Sequence, residues 1–422
     1  MKHGWLIAAW LWVACACAEP AIEVPVVLPE ALAQRWLQDD PALQNADSAF
    51  AAAQAEAGQT AASPYEWNAS YTRQQRDYGT GPKSDEWNVG VERTVRLPNK
   101  YGIDATSAEA MRGAALAQRS LARRQAVEAL LGTWFDWLLA RADKTLLAGQ
   151  VASTQQSVAA VRKRVESGDA ALLEQRLAEA ELAGVQRQAS EADTAEAVAL
   201  AVLAARYPVE GVTAPTLPEP AAIAQDANWW QTRIVSVSDR LVATQAELAR
   251  AQSSAKRAKA DRLPDPTLGV FTGREAYGDE QIVGVSVSIP LPGKRRSLEV
   301  QKQLAQADSA RQNLALIERE LNGATRSTYV GAVGNFERWK LARDAADTLR
   351  DNARLAQKAY TLGEQDLQAL LLARRQALSA AQAEAQARGD ALRAYYRLLL
   401  DAKLLWPQWL NAPDAAGQSE QP

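Results

Sequence analysis

Side chains able to act as nucleophiles, soft-metal ligands or bases near neutral pH are scarce in this chain and gathered at one end. Its 422 residues include one histidine, two cysteines and two methionines, and His3, Cys15, Cys17 and Met1 fall within the first eighteen positions. That stretch reads as a secretory signal: Lys2 gives a positive start, an apolar run follows, and Ala16-Cys17-Ala18 offers a small-x-small cleavage pattern. With residues 1–18 removed, no histidine or cysteine remains. Ser-His and Cys-His nucleophiles, thiolate metal sites and disulfides are then excluded. A second reading of the same stretch is lipidation of Cys15 or Cys17 after cleavage just before it. Trp12 or Ala14 would then stand three positions ahead, where bacterial lipoprotein signals usually carry leucine.

Carboxylates are the remaining candidates for chemistry. The 50 Asp and Glu are nearly balanced by 47 Lys and Arg, and most sit among Lys, Arg, Gln and Ala on helical segments. That pattern describes a solvated helix face better than a paired acid and base. The balance gives no basic footprint for nucleic acid. There is no Walker-type loop, zincin motif or GxGxxG after a strand. The expectation is a protein without catalytic residues, cofactor or metal. No run of eighteen apolar residues follows the leader, so membrane-spanning helices are not expected.

The elements that would position any functional residue come from an internal repeat. Val89-Gly90-Val91-Glu92-Arg93-Thr94-Val95-Arg96-Leu97-Pro98-Asn99-Lys100 aligns without gaps onto Val283-Gly284-Val285-Ser286-Val287-Ser288-Ile289-Pro290-Leu291-Pro292-Gly293-Lys294, an offset of 194. Gly168 and Gly363 recur at an offset of 195. Each half opens with an Ala-rich helix, at 41–62 and 239–262, then two strands, at 65–73 and 86–97 in the first half and 267–274 and 281–290 in the second. Large apolar and polar residues alternate along the strands, the period of a sheet with two unlike faces. Long helical hairpins follow at 101–206 and 294–405. Helices of sixty-odd residues reach on the order of 100 Å, which implies coiled-coil packing. The division is therefore 19–206, a Pro-rich linker at 207–227, 228–405, and a polar tail at 406–422.

Strands of this length suit a tilted transmembrane β-strand of roughly nine to eleven residues. Four cannot close a barrel, and a lipid-exposed sheet cannot keep free edges, so three chains would have to share one barrel. A soluble four-stranded sheet capping a helical body has the same alternation.

The strand-to-helix junctions, together with Tyr360-Thr361-Leu362-Gly363-Glu364-Gln365-Asp366-Leu367 and the following Leu370 to Leu378 stretch, resemble the TolC-type outer-membrane factors of Gram-negative tripartite efflux and secretion systems. The stretch after the turn is similar to the subgroup associated with cation export. The resemblance covers nearly the whole mature chain. It implies a mainly α, internally duplicated fold: long antiparallel coiled-coil helices forming a trimeric periplasmic α-barrel, plus four strands per chain in a shared twelve-stranded outer-membrane β-barrel. It implies a homotrimeric passive duct for metal cations or small toxic molecules, working with a periplasmic adaptor and an inner-membrane pump of the RND type. The alternatives are a soluble periplasmic coiled-coil adaptor or scaffold, and a secreted enzyme using paired carboxylates.

On this resemblance Arg164, Gly168, Tyr360, Leu362 and Gly363 mark the periplasmic tips that meet the adaptor. Family members often place carboxylates six and nine residues after the tip glycine. Here the second half has Ala369 and Leu372, and the first has Glu174 and Leu177. Asp169, Glu174, Glu364 and Asp366 are the candidates for an acidic entrance gate. Tyr65, Trp67, Tyr71, Trp87, Val89, Val91, Val283, Val285 and Val287 are expected to face lipid. Pro98, Lys100, Pro292, Gly293 and Lys294 mark the strand-to-helix junctions. The connections at 74–86 and 275–280 would be external loops.

Overall fold

A computed structural model describes residues 24–77 and 79–407. The signal segment, both cysteines and all but the start of the C-terminal tail lie outside the described residues. The first half comprises α1 (Glu30–Gln38), α2 (Pro41–Ala61), β1 (Trp67–Arg76), β2 (Ser84–Thr94), α3 (Pro98–Glu166) and α4 (Leu172–Ala204). The second repeats the order with α5 (Ala227–Val237), α6 (Asp239–Ala260), β3 (Thr267–Glu275), β4 (Glu280–Ser288), α7 (Lys294–Leu362) and α8 (Leu367–Asp401). The short helices α1 and α5 are additions to the sequence reading. Strands β1 and β2 run closer to their shared turn than expected, which shortens that connection to residues 77–83, and β3 and β4 leave residues 276–279 between them.

Both α3 and α7 are 69 residues long, about 100 Å at 1.5 Å per residue. Their buried positions recur at seven-residue spacing: Leu147, Thr154 and Val161 on α3, and Thr325, Ala332, Trp339 and Ala346 on α7. The returning α4 does the same with Ala178, Val185 and Ala192. A strict heptad keeps one seam facing its partner, and alanine there lets helices approach closely. Helix α3 packs against α2 and α6, and also against α4 and α8; α7 packs against α6 and α8. The four-helix layer therefore has two open sides, one along α2 and α4 and the other along α7.

Midway along α3 the layer thickens into an aromatic belt. Trp134, Phe135 and Trp137 meet Trp36 from α1, Tyr207 after α4, Trp230 from α5 and Tyr395 and Tyr396 from α8. Trp36 stacks on Tyr207 at 5.5 Å and lies edge-on to Trp134 at 5.7 Å. The Trp36 indole donates to the Pro208 carbonyl at 3.0 Å, and the Val27 amide donates to the Tyr396 hydroxyl at 2.9 Å, whereas the buried Trp230 indole N–H has no hydrogen-bond partner among the described residues. This belt is the main hydrophobic core. It locks α1, α5 and the 207–227 segment onto the long helices.

The four strands form one antiparallel sheet in the order β1-β2-β3-β4. Trp67 faces Arg93, Tyr71 faces Val89, Val91 faces Val270, and Val270 faces Val285. Strands β1 and β4 are free edges.

Candidate functional site

Register places Trp67, Tyr71, Trp87, Val89, Val91, Val283, Val285 and Val287 on one face of the sheet, joined by Leu268 and Val270. In a soluble protein this row would be covered. Here Val283 is 78% and Val285 77% exposed, while Gly90, Gly269 and Gly273 on the opposite, polar face are buried. Ser70, Asn88, Glu92 and Ser286 share that polar face. Phe271 also lies there, and its ring occupies the space where Gly284 would carry a Cβ. The sheet is apolar on one face and polar on the other, the division that a wall between lipid and water requires.

Tyr65 is the exception among the expected lipid-facing residues. It precedes β1, is half-buried, and its hydroxyl donates to an Asp265 carboxylate oxygen at 2.8 Å. An acceptor of opposite polarity outcompetes the extension of the strand alternation. Arg93, which interrupts the apolar row, turns along it: its guanidinium lies 5.4 Å from the centre of the Trp67 ring and donates to the Tyr65 carbonyl at 3.2 Å.

Where β2 passes into α3, charged groups are buried. Pro98 stands at the first position of α3, where its missing N–H leaves no intrahelical bond unmade. Lys100 is fully buried, 2.9 Å from Asp265, 3.0 Å from Asp261 and donating to the Leu263 carbonyl at 2.8 Å. Asp265 also accepts from the Leu97 amide at 3.0 Å. Asp104 pairs with Arg96 at 2.5 Å and with Arg257. Burial raises the Asp265 carboxyl pKa, but the Leu97 amide, Lys100 and Tyr65 outweigh it and hold the group below its ordinary value. At the second junction Pro292, Gly293 and Lys294 are exposed.

The far ends of the hairpins turn alike. Gly168 and Gly363 take the left-handed conformation, at φ +81° and +76°. Asp169 N–H donates to the Arg164 carbonyl at 2.7 Å, and Glu364 N–H to the Ala359 carbonyl at 2.9 Å. Both close the helix C-terminus with the same pair of reversed bonds. Between the turns the Tyr360 hydroxyl donates to Glu174 at 3.2 Å, and the Arg164 guanidinium lies 5.1 Å from the Tyr360 ring centre. Burial pushes the Tyr360 hydroxyl pKa up; Arg164 opposes this and Glu174 adds to it. The two hairpins also share an apolar cluster, with Val158 and Val161 of α3 against Leu367, Leu370 and Leu371 of α8.

The four acidic candidates therefore occupy different settings. Glu174 accepts from Tyr360, Asp169 accepts from the Ser167 hydroxyl at 2.8 Å, Asp366 caps α8 by accepting from the Ala369 amide at 2.8 Å, and Glu364 is exposed in the turn. Among the described residues no group of three or more His, Cys, Asp or Glu is arranged to hold a metal ion.

The model of the outer membrane efflux protein family matches residues 32–206 and 234–400. The chain belongs to that family. A comparison with curated proteins found no match. Among solved structures, the CmeC outer membrane channel of Campylobacter jejuni aligns with a TM-score of 0.71 at 16% identity, covering 88% of this chain and 84% of that one. The outer membrane protein VceC of Vibrio cholerae aligns at 0.70 and 17%, covering 88% and 95%. The open-state MtrE outer membrane channel of Neisseria gonorrhoeae aligns at 0.65 and 18%, covering 89% of each. At such identities the likeness is one of fold.

Membership of the outer membrane efflux protein family gives the chain its location. The protein resides in the outer membrane, and its long helical body lies on the periplasmic side. No helix among the described residues is long and apolar enough to cross a membrane. Sequence reasoning missed the partners Asp261 and Asp265 of Lys100, and two exposed leucines at the tip, Leu172 and Leu173, which are 60% and 67% exposed beside Leu362 at 63%. Adjacent leucines in the first turn of α4 were the available signal, since a buried helix start would not need both.

Proposed function

We propose that three copies of this chain form a passive duct of a tripartite efflux system, with twelve strands in one barrel and the helices continuing it into the periplasm. One observation carries the reading: an exposed apolar sheet face, bounded by two free edges. Such a sheet is stable in lipid only when closed, because each unpaired backbone group there costs several kcal/mol. The open sides of the helical layer lie in the same relation, α7 on one and α2 and α4 on the other. The test is the molar mass of protein extracted from outer membranes, by light scattering corrected for detergent. The expected value is three mature chains; a monomer would overturn closure.

At the tips, Arg164, Gly168, Tyr360, Leu362 and Gly363, with Leu172 and Leu173, form the surface offered to a periplasmic adaptor. Exposed leucines around two rigid turns suit docking of a complementary apolar groove. An inner-membrane pump of the RND type would supply the energy. Cargo is of the class of metal cations or small toxic molecules, and selection among them rests with the pump, because a duct gains nothing from holding its cargo. Asp169, Glu174, Glu364 and Asp366 form the acidic entrance, where a narrow charged mouth focuses cations. Neutralising all four is expected to lower cation block and cation conductance in single-channel recordings; unchanged currents would remove them from the gate.

A further inference from the structure

We infer from the duplication how the free edges pair: β4 of one copy meets β1 of the next with Ser286 opposite Asn68 of the partner subunit. This inference rests on the closed-barrel reading above and adds the register to it.

The two hairpins are superimposable in pairing. Trp67 opposite Arg93 in the first corresponds to Leu268 opposite Val287 in the second, and Tyr71 opposite Val89 corresponds to Thr272 opposite Val283. The chain also contains one seam between its halves, where β2 pairs with β3: Arg93 with Leu268, Glu92 with Gly269, Val89 with Thr272. A barrel built of repeated hairpins has the same kind of seam between copies. Replacing each residue by its counterpart puts Val287 opposite Trp67 of the partner subunit, Ser286 opposite Asn68 of the partner subunit, and Val283 opposite Tyr71 of the partner subunit.

Three physical features agree with this register. It keeps Trp67, Tyr71, Val283, Val285 and Val287 on one continuous apolar face, whereas a slip of one residue would turn the aromatics inward. It sets each aromatic beside a β-branched valine, a favourable cross-strand pair. A slip of two residues would preserve the faces but slide the helical bodies by about 7 Å along the strands, breaking the helix alignment that the inner seam maintains. The seam also has a defined bonding phase. Val95 N–H donates to the Pro266 carbonyl at 2.8 Å, so pairs on the lipid-facing row are the hydrogen-bonded ones, and the polar-face pairs are the close, non-hydrogen-bonded ones. The Thr94 and Thr267 hydroxyls, 2.8 Å apart, show that closeness.

Ser286 and Asn68 of the partner subunit therefore form a close pair on the polar face, within disulfide reach of roughly 3.5 to 4.5 Å between Cβ atoms, while residues two places away lie about 7 to 8 Å off. The experiment uses the full-length protein in outer membranes carrying Ser286→Cys with Asn68→Cys, compared with Ser286→Cys plus Ser70→Cys and Ser286→Cys plus Glu66→Cys. Cys15 and Cys17 are the only native cysteines, and the unaltered chain reports their background. After mild oxidation, the Asn68 pair is expected to give about tenfold more covalent trimer on non-reducing gels than either displaced pair, following the steep distance limit of the disulfide. Preferential cross-linking of a displaced pair, or of none in protein whose mass is that of a trimer, overturns the register alone. A monomeric mass before oxidation overturns closure and the register with it.

Discussion

The two strand-to-helix junctions share a sequence pattern and differ in everything around it. At the first, Lys100 is fully buried between Asp261 and Asp265. At the second, Lys294 and its neighbours Pro292 and Gly293 are exposed. The difference follows from what each junction abuts. The first lies against the α6-to-β3 connection of its own chain, which supplies both aspartates. The counterpart of that connection, between α2 and β1, carries Thr60 and Pro64 at the equivalent places and no carboxylate before Glu66. Duplication kept the backbone plan while the side chains at each seam diverged, so a charge in a repeat takes its role from the neighbouring repeat.

The largest expected effect separates the two lysines directly. Lys100→Met leaves Asp265 buried without its cation and should destabilise the protein by about 3 to 5 kcal/mol. Lys294→Met should cost much less, because the α2-to-β1 connection that its seam meets in the next copy carries no carboxylate before Glu66. Denaturant unfolding of the helical signal measures both. Equal losses would break the comparison.

The next effect tests the two faces of the wall. Val285→Arg should cost about 2 to 4 kcal/mol if the position is at the bilayer midplane, because the cation faces lipid. Its neighbour Ser286→Arg points to the water-filled side and should cost much less. Folding equilibria into lipid vesicles give both values, and similar losses would mean that the faces are assigned wrongly.

Acid should loosen one junction and spare the other. The Asp265 carboxyl titrates below its unfolded value of 3.8. Its stabilisation is therefore complete above that value and is lost as pH falls through the lower, folded one. Hydrogen exchange at the Leu97 amide, which donates to this carboxylate, should accelerate below pH about 4 relative to its own intrinsic rate. Asp265→Asn should remove that pH dependence.

Much of this architecture was legible in the chain. Alternation in 65–73 and 86–97, within a few residues of the strands at Trp67–Arg76 and Ser84–Thr94, the gapless repeat of the junctions and the two turn glycines are local signals, each set by backbone geometry within a few residues. The short helices α1 and α5 were not legible, because their apolar content is a few tryptophans and leucines whose partners, Trp134 and Tyr396, come from distant segments. The ion cluster was equally hidden: Lys100 was visible as a repeated residue, but Asp261 and Asp265 join it across more than 150 positions. Tyr65 was misplaced for the same reason, its parity matching a strand while its hydroxyl answers to Asp265. At the tips the glycines were legible, and the pairing of Tyr360 with Glu174 across the two hairpins was not.

The smallest effect sharpens the comparison between halves at their far ends. Helix α8 begins at Asp366, whose carboxylate accepts from the Ala369 amide, whereas α4 begins at Ala171 with no side-chain cap. The two cap positions have the same extended backbone, φ −77° and ψ 148° at Ala171 against φ −81° and ψ 167° at Asp366. An aspartate at 171 therefore fits without strain and can accept from the first-turn amides, of which Glu174 N–H already donates to the Ala171 carbonyl at 3.0 Å. Asp366→Ala should cost about 0.5 to 2 kcal/mol locally, and Ala171→Asp should gain a comparable amount, since the same capping bond is removed in one case and made in the other. Hydrogen exchange in the first turns of α4 and α8 reads each change separately. If the double variant merely exchanges the protection of the two turns, capping accounts for the difference between the hairpin ends. If α4 gains nothing, its first turn is held instead by the leucines at 172 and 173 meeting another chain.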